Sequence, residues 1–170
     1  MKLGLDLWGV ILSNIPGNLN KPRVYENGAI EYIRMLSDML GSENVFIVSL
    51  IKEKHLGTHL RAFKEDKLLK MLGIPTENVN FVFENKPAGM TKAPVIQELG
   101  ITHFVDDQMR ILANLPSNVK RFWYASNLPT VDKILFRAEY DVHHRNYPHF
   151  NKWDELFKEL GIQFRMAQLE

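Results

Sequence analysis

Short apolar runs alternate with longer stretches of helical periodicity along most of this chain. A brief apolar run bounded by Gly or polar residues is typical of a buried strand, whereas apolar residues three and four positions apart indicate an amphipathic helix. The first predicted strand begins at Leu3, and four further strands are predicted over 45–50, 79–83, 103–105 and 121–125. The predicted helices cover 29–40, 55–72, 94–99, 108–115, 131–138 and 151–160. Strands that alternate with helices predict βαβ crossovers, and therefore an α/β three-layer sandwich around a mostly parallel sheet.

The chain shows no repeat, no low-complexity tract and no linker that would divide it. Its 170 residues suffice for one compact core, so we expect a single domain over 1–170. Residues 13–28 are rich in Asn, Pro and Gly, which predicts a flap loop directly after the first strand. Residues 139–170 are expected to form a loop and a helix that pack on the same domain. No insertion is long enough for a large cap domain.

Composition excludes several classes of protein. The formal net charge of +1 gives no electrostatic reason to expect nucleic acid as a partner. The absence of cysteine excludes disulfide and thiolate chemistry. No apolar run approaches the roughly 20 residues of a membrane span, and Asp6 interrupts the first apolar run, unlike a secretory signal. We therefore expect a soluble, cytoplasmic protein that does not bind membranes.

Polar residues able to do chemistry lie where the predicted strands end. Asp6 closes the first strand, Ser49 lies at the end of the second, and Asp106-Asp107 follow the fourth. Lys92 precedes the helix that leads into that fourth strand. Taken alone, Asp6 is more often a turn or cap residue. Because ligands bind beyond the carboxyl ends of strands in open α/β sheets, the convergence of these residues predicts a shared site.

The order of these features resembles the haloacid dehalogenase-like (HAD) hydrolase superfamily, from Leu3 to about Ala125. The residues that carry the resemblance are Asp6-Leu7-Trp8-Gly9-Val10, Phe46-Ile47-Val48-Ser49, Lys92 before Ala93-Pro94-Val95-Ile96, and Phe104-Val105-Asp106-Asp107. The short flap suggests a member without a large cap. The resemblance implies a phosphorylated substrate and an HAD-like fold.

The resemblance also implies a Mg²⁺-dependent mechanism in which Asp6 attacks phosphorus and forms an aspartyl-phosphate. Its implied metal ligands are Asp6, the main-chain carbonyl of Trp8, Asp106 and waters, and Asp107 would hold Lys92 or a metal-bound water. Lys92 and the Ser49 hydroxyl would bind the phosphoryl group.

Trp8 departs from the family pattern, because most phosphatases of this superfamily carry a second Asp at that position. Indole neither donates nor accepts a titratable proton near neutral pH, and general acid–base catalysis is worth roughly 10²–10⁴ in rate. Three readings stay open. The first is a weak phosphatase or phosphotransferase that acts on a good leaving group or uses His55, His59 or a flap residue as a substitute acid. The second is a degenerate protein that binds a phosphorylated ligand or a protein partner. The third is a dehalogenase-like hydrolase, against which Asp106-Asp107 argues. Trp8 either packs under the flap or lines the pocket and stacks on a planar ligand.

Other residues have plainer interpretations. Lys86 competes with Lys92 for the phosphate but is better explained as a solvated loop lysine, and Asp107 alone could be a helix cap. His143, His144 and His149 form a cluster that could bind zinc, although no regular ligand spacing supports it and a surface loop is the default. The aromatic run 122–124 is typical of a packed strand.

Overall fold

The computed structural model describes residues 1–13, 24–52, 56–57, 60, 63, 67–83, 92–125 and 147–169. Several predictions fall outside these ranges: the helix over 131–138, most of the flap, and His55, His59, Lys86, His143 and His144. None of the helices in the described ranges is long and apolar enough to cross a bilayer.

The centre of the fold is a six-stranded sheet in which every pair of neighbouring strands is parallel. Its strands are β1 (Leu3–Leu5), β2 (Val45–Ile51), β3 (Val79–Phe83), β4 (His103–Asp106), β5 (Lys120–Tyr124) and β6 (His149–Phe150). The described helices are α1 (Ala29–Leu40), α2 (Leu68–Leu72), α3 (Ala93–Glu98), α4 (Met109–Ala113) and α5 (Trp153–Ala167), with 3-10 turns at Ser42–Asn44 and Thr76–Asn78. The spatial order is β3-β2-β1-β4-β5-β6. The predicted α/β sandwich is therefore confirmed, and the described residues contain no large cap.

Strand side chains alternate between two apolar layers, as expected for strands that are covered on both faces. One layer packs the sheet against α1, α2 and α5, and the other packs it against α3 and α4. In β2, for example, Val45 and Ile47 belong to the first layer and Phe46 and Val48 to the second. The core thus holds β1 and β4 rigidly at the centre of the sheet.

Two glycines near the start of the chain allow the close geometry there. A Cβ on Gly4 would lie 2.6 Å from the Phe104 ring, so β1 and β4 pack tightly only because position 4 has no side chain. Gly9 has a φ of 79°, which glycine adopts without strain, and its N–H donates to the carbonyl of Leu12 at 2.7 Å. The chain therefore turns sharply just after Asp6.

The two ends of the predicted flap pair with each other. Ser13 N–H donates to the Val24 carbonyl and Glu26 N–H to the Ile11 carbonyl, both at 2.9 Å. Leu12 and Tyr25 form an antiparallel bridge between these bonds. The segment that follows Asp6 therefore leaves and returns at one place beside β1.

The structure differs from the predictions over 55–72, at the end of β2 and at β6. The helix predicted over 55–72 is not continuous, because Lys67 has a φ of 52° and α2 begins only at Leu68. Strand β2 continues to Ile51, two residues beyond Ser49. Strand β6 was missed because it has two residues, too few to show an alternating pattern.

The C-terminal helix α5 packs beside α1. The Tyr32 and Phe157 rings lie 5.2 Å apart, and the buried Trp153 indole N–H donates to the Val10 carbonyl at 2.9 Å. The second contact ties α5 to the turn that follows β1. Helix α5 starts two residues later and ends seven residues later than the predicted span 151–160.

His103, a buried histidine at the amino end of β4, makes the stability of the fold depend on pH. His103 stacks on Phe122 with ring centroids 6.0 Å apart, and its Nδ1 lies 2.8 Å from Thr102 Oγ1. Burial, then the charges of Lys120 and the N-terminus, lower the pKa of His103 from 6.5 to about 4. Between these values the unfolded chain binds a proton that the folded protein excludes, so this contribution to stability is complete above pH 6.5 and is lost as the pH falls towards 4.

Between pH 7 and pH 4, we expect the free energy of unfolding of the wild type, measured with urea, to fall by on the order of 2 kcal/mol more than that of His103→Phe. Phenylalanine keeps the ring stack and cannot take a proton. A difference between the two proteins that stays constant over this pH range would contradict the assignment.

Candidate functional site

The site lies where the strand order changes direction. β1 pairs with β2 on one side and with β4 on the other. The chain therefore extends the sheet in one direction through β2 and β3 and in the other through β4, β5 and β6. In open α/β sheets such a switch point leaves a crevice beyond the carboxyl ends of the two central strands. Asp6 follows β1 directly and Asp106 is the last residue of β4, so the two acids flank this crevice.

Lys92 joins these two acids. Its Nζ lies 2.7 Å from Asp6 Oδ1 and 2.6 Å from Asp106 Oδ2. Both contacts are ion pairs, and the contact with Asp106 is also a hydrogen bond. All three residues are buried, with Lys92 only 1% exposed. Its ammonium also lies 5.4 Å from the centroid of the Phe104 ring. Lys92 immediately precedes α3, where Pro94 suits the first turn because its missing N–H has no intrahelical partner there.

Asp106 is held from a second side by the turn that follows β4. The main-chain N–H of Gln108 donates to Asp106 Oδ1 at 2.8 Å, so both carboxylate oxygens of Asp106 are engaged. Of the two neighbouring acids, Asp106 therefore supports the start of α4. One oxygen of Asp107 joins one oxygen each of Asp6 and Asp106 in a group whose members all lie within 4.8 Å of one another.

The charges in this cluster shift each other's pKa values. Burial alone would lower the pKa of Lys92, but the charges of Asp106 and Asp6 outweigh burial and raise it. Burial raises the pKa of Asp106 to about 6, against the opposing effect of Lys92. Burial and repulsion by Asp106 and Asp6 raise the pKa of Asp107 well above its ordinary value. One ammonium thus neutralises three crowded carboxyl groups only in part.

These observations fit a divalent cation. When all three carboxyl groups are ionised and Lys92 is protonated, the cluster carries a formal charge of −2, which one Mg²⁺ would balance. Asp6 Oδ1 is buried and contacts the Lys92 ammonium at 2.7 Å, and a carboxylate oxygen with one such contact has a further lone pair for a ligand. Mg²⁺ prefers hard oxygen ligands about 2.1 Å away, which lie at most about 4.2 Å apart, so small rotations of these side chains would suffice.

Ser49 and Trp8 occupy the same edge of the sheet. Leu5 pairs with Ile47, so Ser49 lies two residues beyond that pair on β2 and Asp6 one residue beyond it on β1. The Ser49 hydroxyl is fully buried and makes no hydrogen bond within the described ranges. The half-buried side chain of Trp8 packs against the apolar layer beside α1 and α5. The structure thus brings Asp6, Lys92, Asp106 and Asp107 into one cluster, with Ser49 near the same end of β2 and Trp8 two residues after Asp6.

Two contributions were missed from the sequence. The Gln108 main-chain N–H and the Trp123 indole, which donates to the Asp107 carbonyl at 3.0 Å, both hold the turn after β4. Asp side chains commonly accept from the main-chain N–H two residues further on, so the contact between Asp106 and Gln108 has a recognisable signal in the sequence. The second depends on pairing between β4 and β5, which a single sequence does not reveal. His149, from the predicted histidine cluster, lies in β6 beside Trp123.

Two comparisons with known proteins were negative. No protein-family model matches this chain, and a search of curated proteins finds no significant match.

Replacement of Lys92 tests the cluster as a structural unit. We expect Lys92→Met to lower the free energy of unfolding by about 3–5 kcal/mol at pH 7, because it leaves buried carboxylates without their counter-charge. The deficit should shrink towards pH 5, since a carboxyl group whose folded-state pKa is raised gains stability as the pH falls through that pKa. Urea titrations at both pH values measure the effect.

Lys158→Met is the matched control, because Lys158 pairs with Asp154 at 3.5 Å on the exposed surface of α5. Such a pair is worth about 0–1 kcal/mol. An equal loss in the two variants, or a deficit for Lys92→Met that does not change with pH, would contradict the ion cluster.

Proposed function

We propose that this protein is an HAD-like, Mg²⁺-dependent phosphoric monoester hydrolase that acts through an aspartyl-phosphate on Asp6. The main support is the position of Lys92, whose ammonium lies within 2.7 Å of carboxylates at the ends of two different strands. A purely structural ion pair has no need of a third acid, yet Asp107 also lies at this point. The cluster is situated at the switch point, where ligands of this architecture bind.

In the first step, a carboxylate oxygen of Asp6 attacks phosphorus and the bond from phosphorus to the ester oxygen breaks. The leaving alkoxide or phenoxide takes its proton from solvent. Lys92 holds Asp6 in place and offsets charge on the phosphoryl oxygens, and the Ser49 hydroxyl donates to one of them. Positioning and charge stabilisation of this kind supply most of the catalysis of phosphoryl transfer.

In the second step, water attacks phosphorus, the bond to Asp6 breaks, and inorganic phosphate leaves with the carboxylate regenerated. Asp6, Asp106 and Asp107 would hold Mg²⁺, with the carbonyl of Trp8 as the further ligand implied by the resemblance. When bound, Mg²⁺ screens the repulsion between the anionic substrate and the carboxylates.

Trp8 also supports a second candidate, a non-catalytic protein that binds a phosphorylated ligand or a protein partner. The indole cannot protonate a leaving group or activate water. Under the first proposal the chain is a slow enzyme that favours good leaving groups; under the second it binds without turnover. The acid pair after β4 argues against attack on carbon, and chloride release from a 2-haloacid would revive the dehalogenase hypothesis.

Asp6→Asn tests the nucleophile. We expect this change to abolish Mg²⁺-dependent hydrolysis of 4-nitrophenyl phosphate, because the amide is a poor nucleophile and a poor metal ligand. Release of 4-nitrophenol with and without Mg²⁺ is the measurement. Asp38→Asn is the matched control, because Asp38 is exposed and pairs only with Arg34 among the described residues. This variant should hydrolyse 4-nitrophenyl phosphate at the wild-type rate. Turnover that survives Asp6→Asn would refute the proposed nucleophile.

Trp8→Asp distinguishes the two candidates. If proton transfer limits the enzyme, this change should raise kcat/KM for phenyl phosphate by about 10²-fold, towards the lower end of the usual contribution of a general acid. Trp8→Asn is the control, because it also removes the indole but supplies no titratable proton. Equal rates for the two variants would show that the missing acid is not the limitation. Wild-type binding of inorganic phosphate without turnover in any variant would favour the non-catalytic protein.

A further inference from the structure

Trp123 lies beside the acid pair without belonging to it. In the register between β4 and β5, Trp123 is the partner of Asp106. Its side chain is 1% exposed, and its indole N–H donates to the main-chain carbonyl of Asp107 at 3.0 Å. A buried indole on the neighbouring strand therefore holds the residue that follows β4.

The indole is itself held by the last strand of the sheet. The Trp123 main-chain N–H donates to the Pro148 carbonyl at 2.9 Å, and the His149 ring packs on the indole with centroids 5.1 Å apart. The main chain of Trp123 is thus paired with the segment that forms β6, and its indole lies between His149 and the Asp107 carbonyl. The short strand β6 thus contributes indirectly to the geometry at the end of β4.

We propose that Trp123 is a positioning residue for the cation site, acting through the backbone of Asp107. This inference rests on the proposed function, because it assumes that Asp6, Asp106 and Asp107 hold Mg²⁺. The turn after β4 is fixed at two points, by the Gln108 N–H on Asp106 and by the indole on Asp107. Asp106 keeps its own two partners whatever happens at Trp123, whereas the Asp107 backbone loses the indole contact when Trp123 is replaced.

Loss of this contact should therefore weaken cation binding more than it weakens the fold. Partners that orient metal ligands from outside the first coordination sphere typically contribute 10- to 100-fold to metal affinity. Trp123 acts on one of three acids and through its backbone, so we expect an effect near the lower limit, about tenfold.

The experiment compares Trp123→Phe with Trp153→Phe. Each change removes one buried indole N–H that donates to a main-chain carbonyl, at 3.0 Å in the first case and 2.9 Å in the second. Trp153 contacts Val10 in the turn after β1, so its replacement measures what a weakened turn beside Asp6 does to cation binding while the turn after β4 stays intact. Thermal unfolding is followed at increasing Mg²⁺ concentration without substrate, and the Mg²⁺ dissociation constant is taken from the rise in Tm.

We expect the dissociation constant to rise about tenfold in Trp123→Phe and to stay within twofold of the wild type in Trp153→Phe, although both variants lose stability without metal. Equal dissociation constants in the three proteins would overturn the role of Trp123 while leaving the metal site intact. A wild type whose Tm does not respond to Mg²⁺ would overturn the metal part of the proposed function, and the inference with it. If Trp123→Phe does not fold, a benzothiophene analogue of tryptophan at position 123 keeps the bicyclic shape without the N–H, and the same tenfold criterion applies.

Discussion

The buried ammonium of Lys92 is the constraint on which the rest of the site depends. Taking charges out of water costs several kcal/mol for each ion, and mutual attraction offsets this cost only where the geometry is good. Lys92 meets that condition with two carboxylates at 2.6 and 2.7 Å. Asp6 and Asp106 reach it because β1 and β4 are parallel neighbours whose carboxyl ends lie at the same edge of the sheet. The sheet order, the glycine at position 4 and the position of Lys92 immediately before α3 all serve this juxtaposition.

The same cluster is incompletely balanced, and this distinguishes it from a structural ion pair. A core that needed only one salt bridge would gain nothing from the additional acid at position 107. The raised pKa values of Asp106 and Asp107 reflect the burial of more negative charge than Lys92 neutralises. The divalent cation of the proposed function would offset this deficit and would allow the proposed anionic phosphoryl group to approach Asp6.

Sequence reasoning located the elements that depend on local patterns. Helix α1 was predicted to its exact bounds, because its apolar spacing is regular and Gly41, with a φ of 84°, ends it. The four charged residues of the site were found because each lies at a strand end or a helix start, where polar residues interrupt apolar runs. Their mutual distances could not be predicted, since they depend on strand order, which is a property of the whole sheet.

The errors have equally physical causes. A helical periodicity over 55–72 takes no account of the left-handed conformation of Lys67, which interrupts it. Strand β6 is stabilised by pairing with β5 and not by its own composition, so two residues gave no signal. The support of Asp107 by Trp123 depends on that same lateral pairing, and the aromatic run 122–124 pointed only to packing.

If the buried lysine and the strand-end acids form the proposed phosphoryl-transfer site, Asp6 carries a phosphoryl group during turnover. The most direct measurement is mass spectrometry of the acid-quenched protein after incubation with 4-nitrophenyl phosphate and Mg²⁺. The account predicts one added phosphoryl group on the peptide that contains Asp6, and it predicts accumulation of this adduct because Trp8 cannot activate the water that removes it. A phosphoryl group on another residue, or hydrolysis that proceeds while the protein stays unmodified at every quench time, would contradict the account.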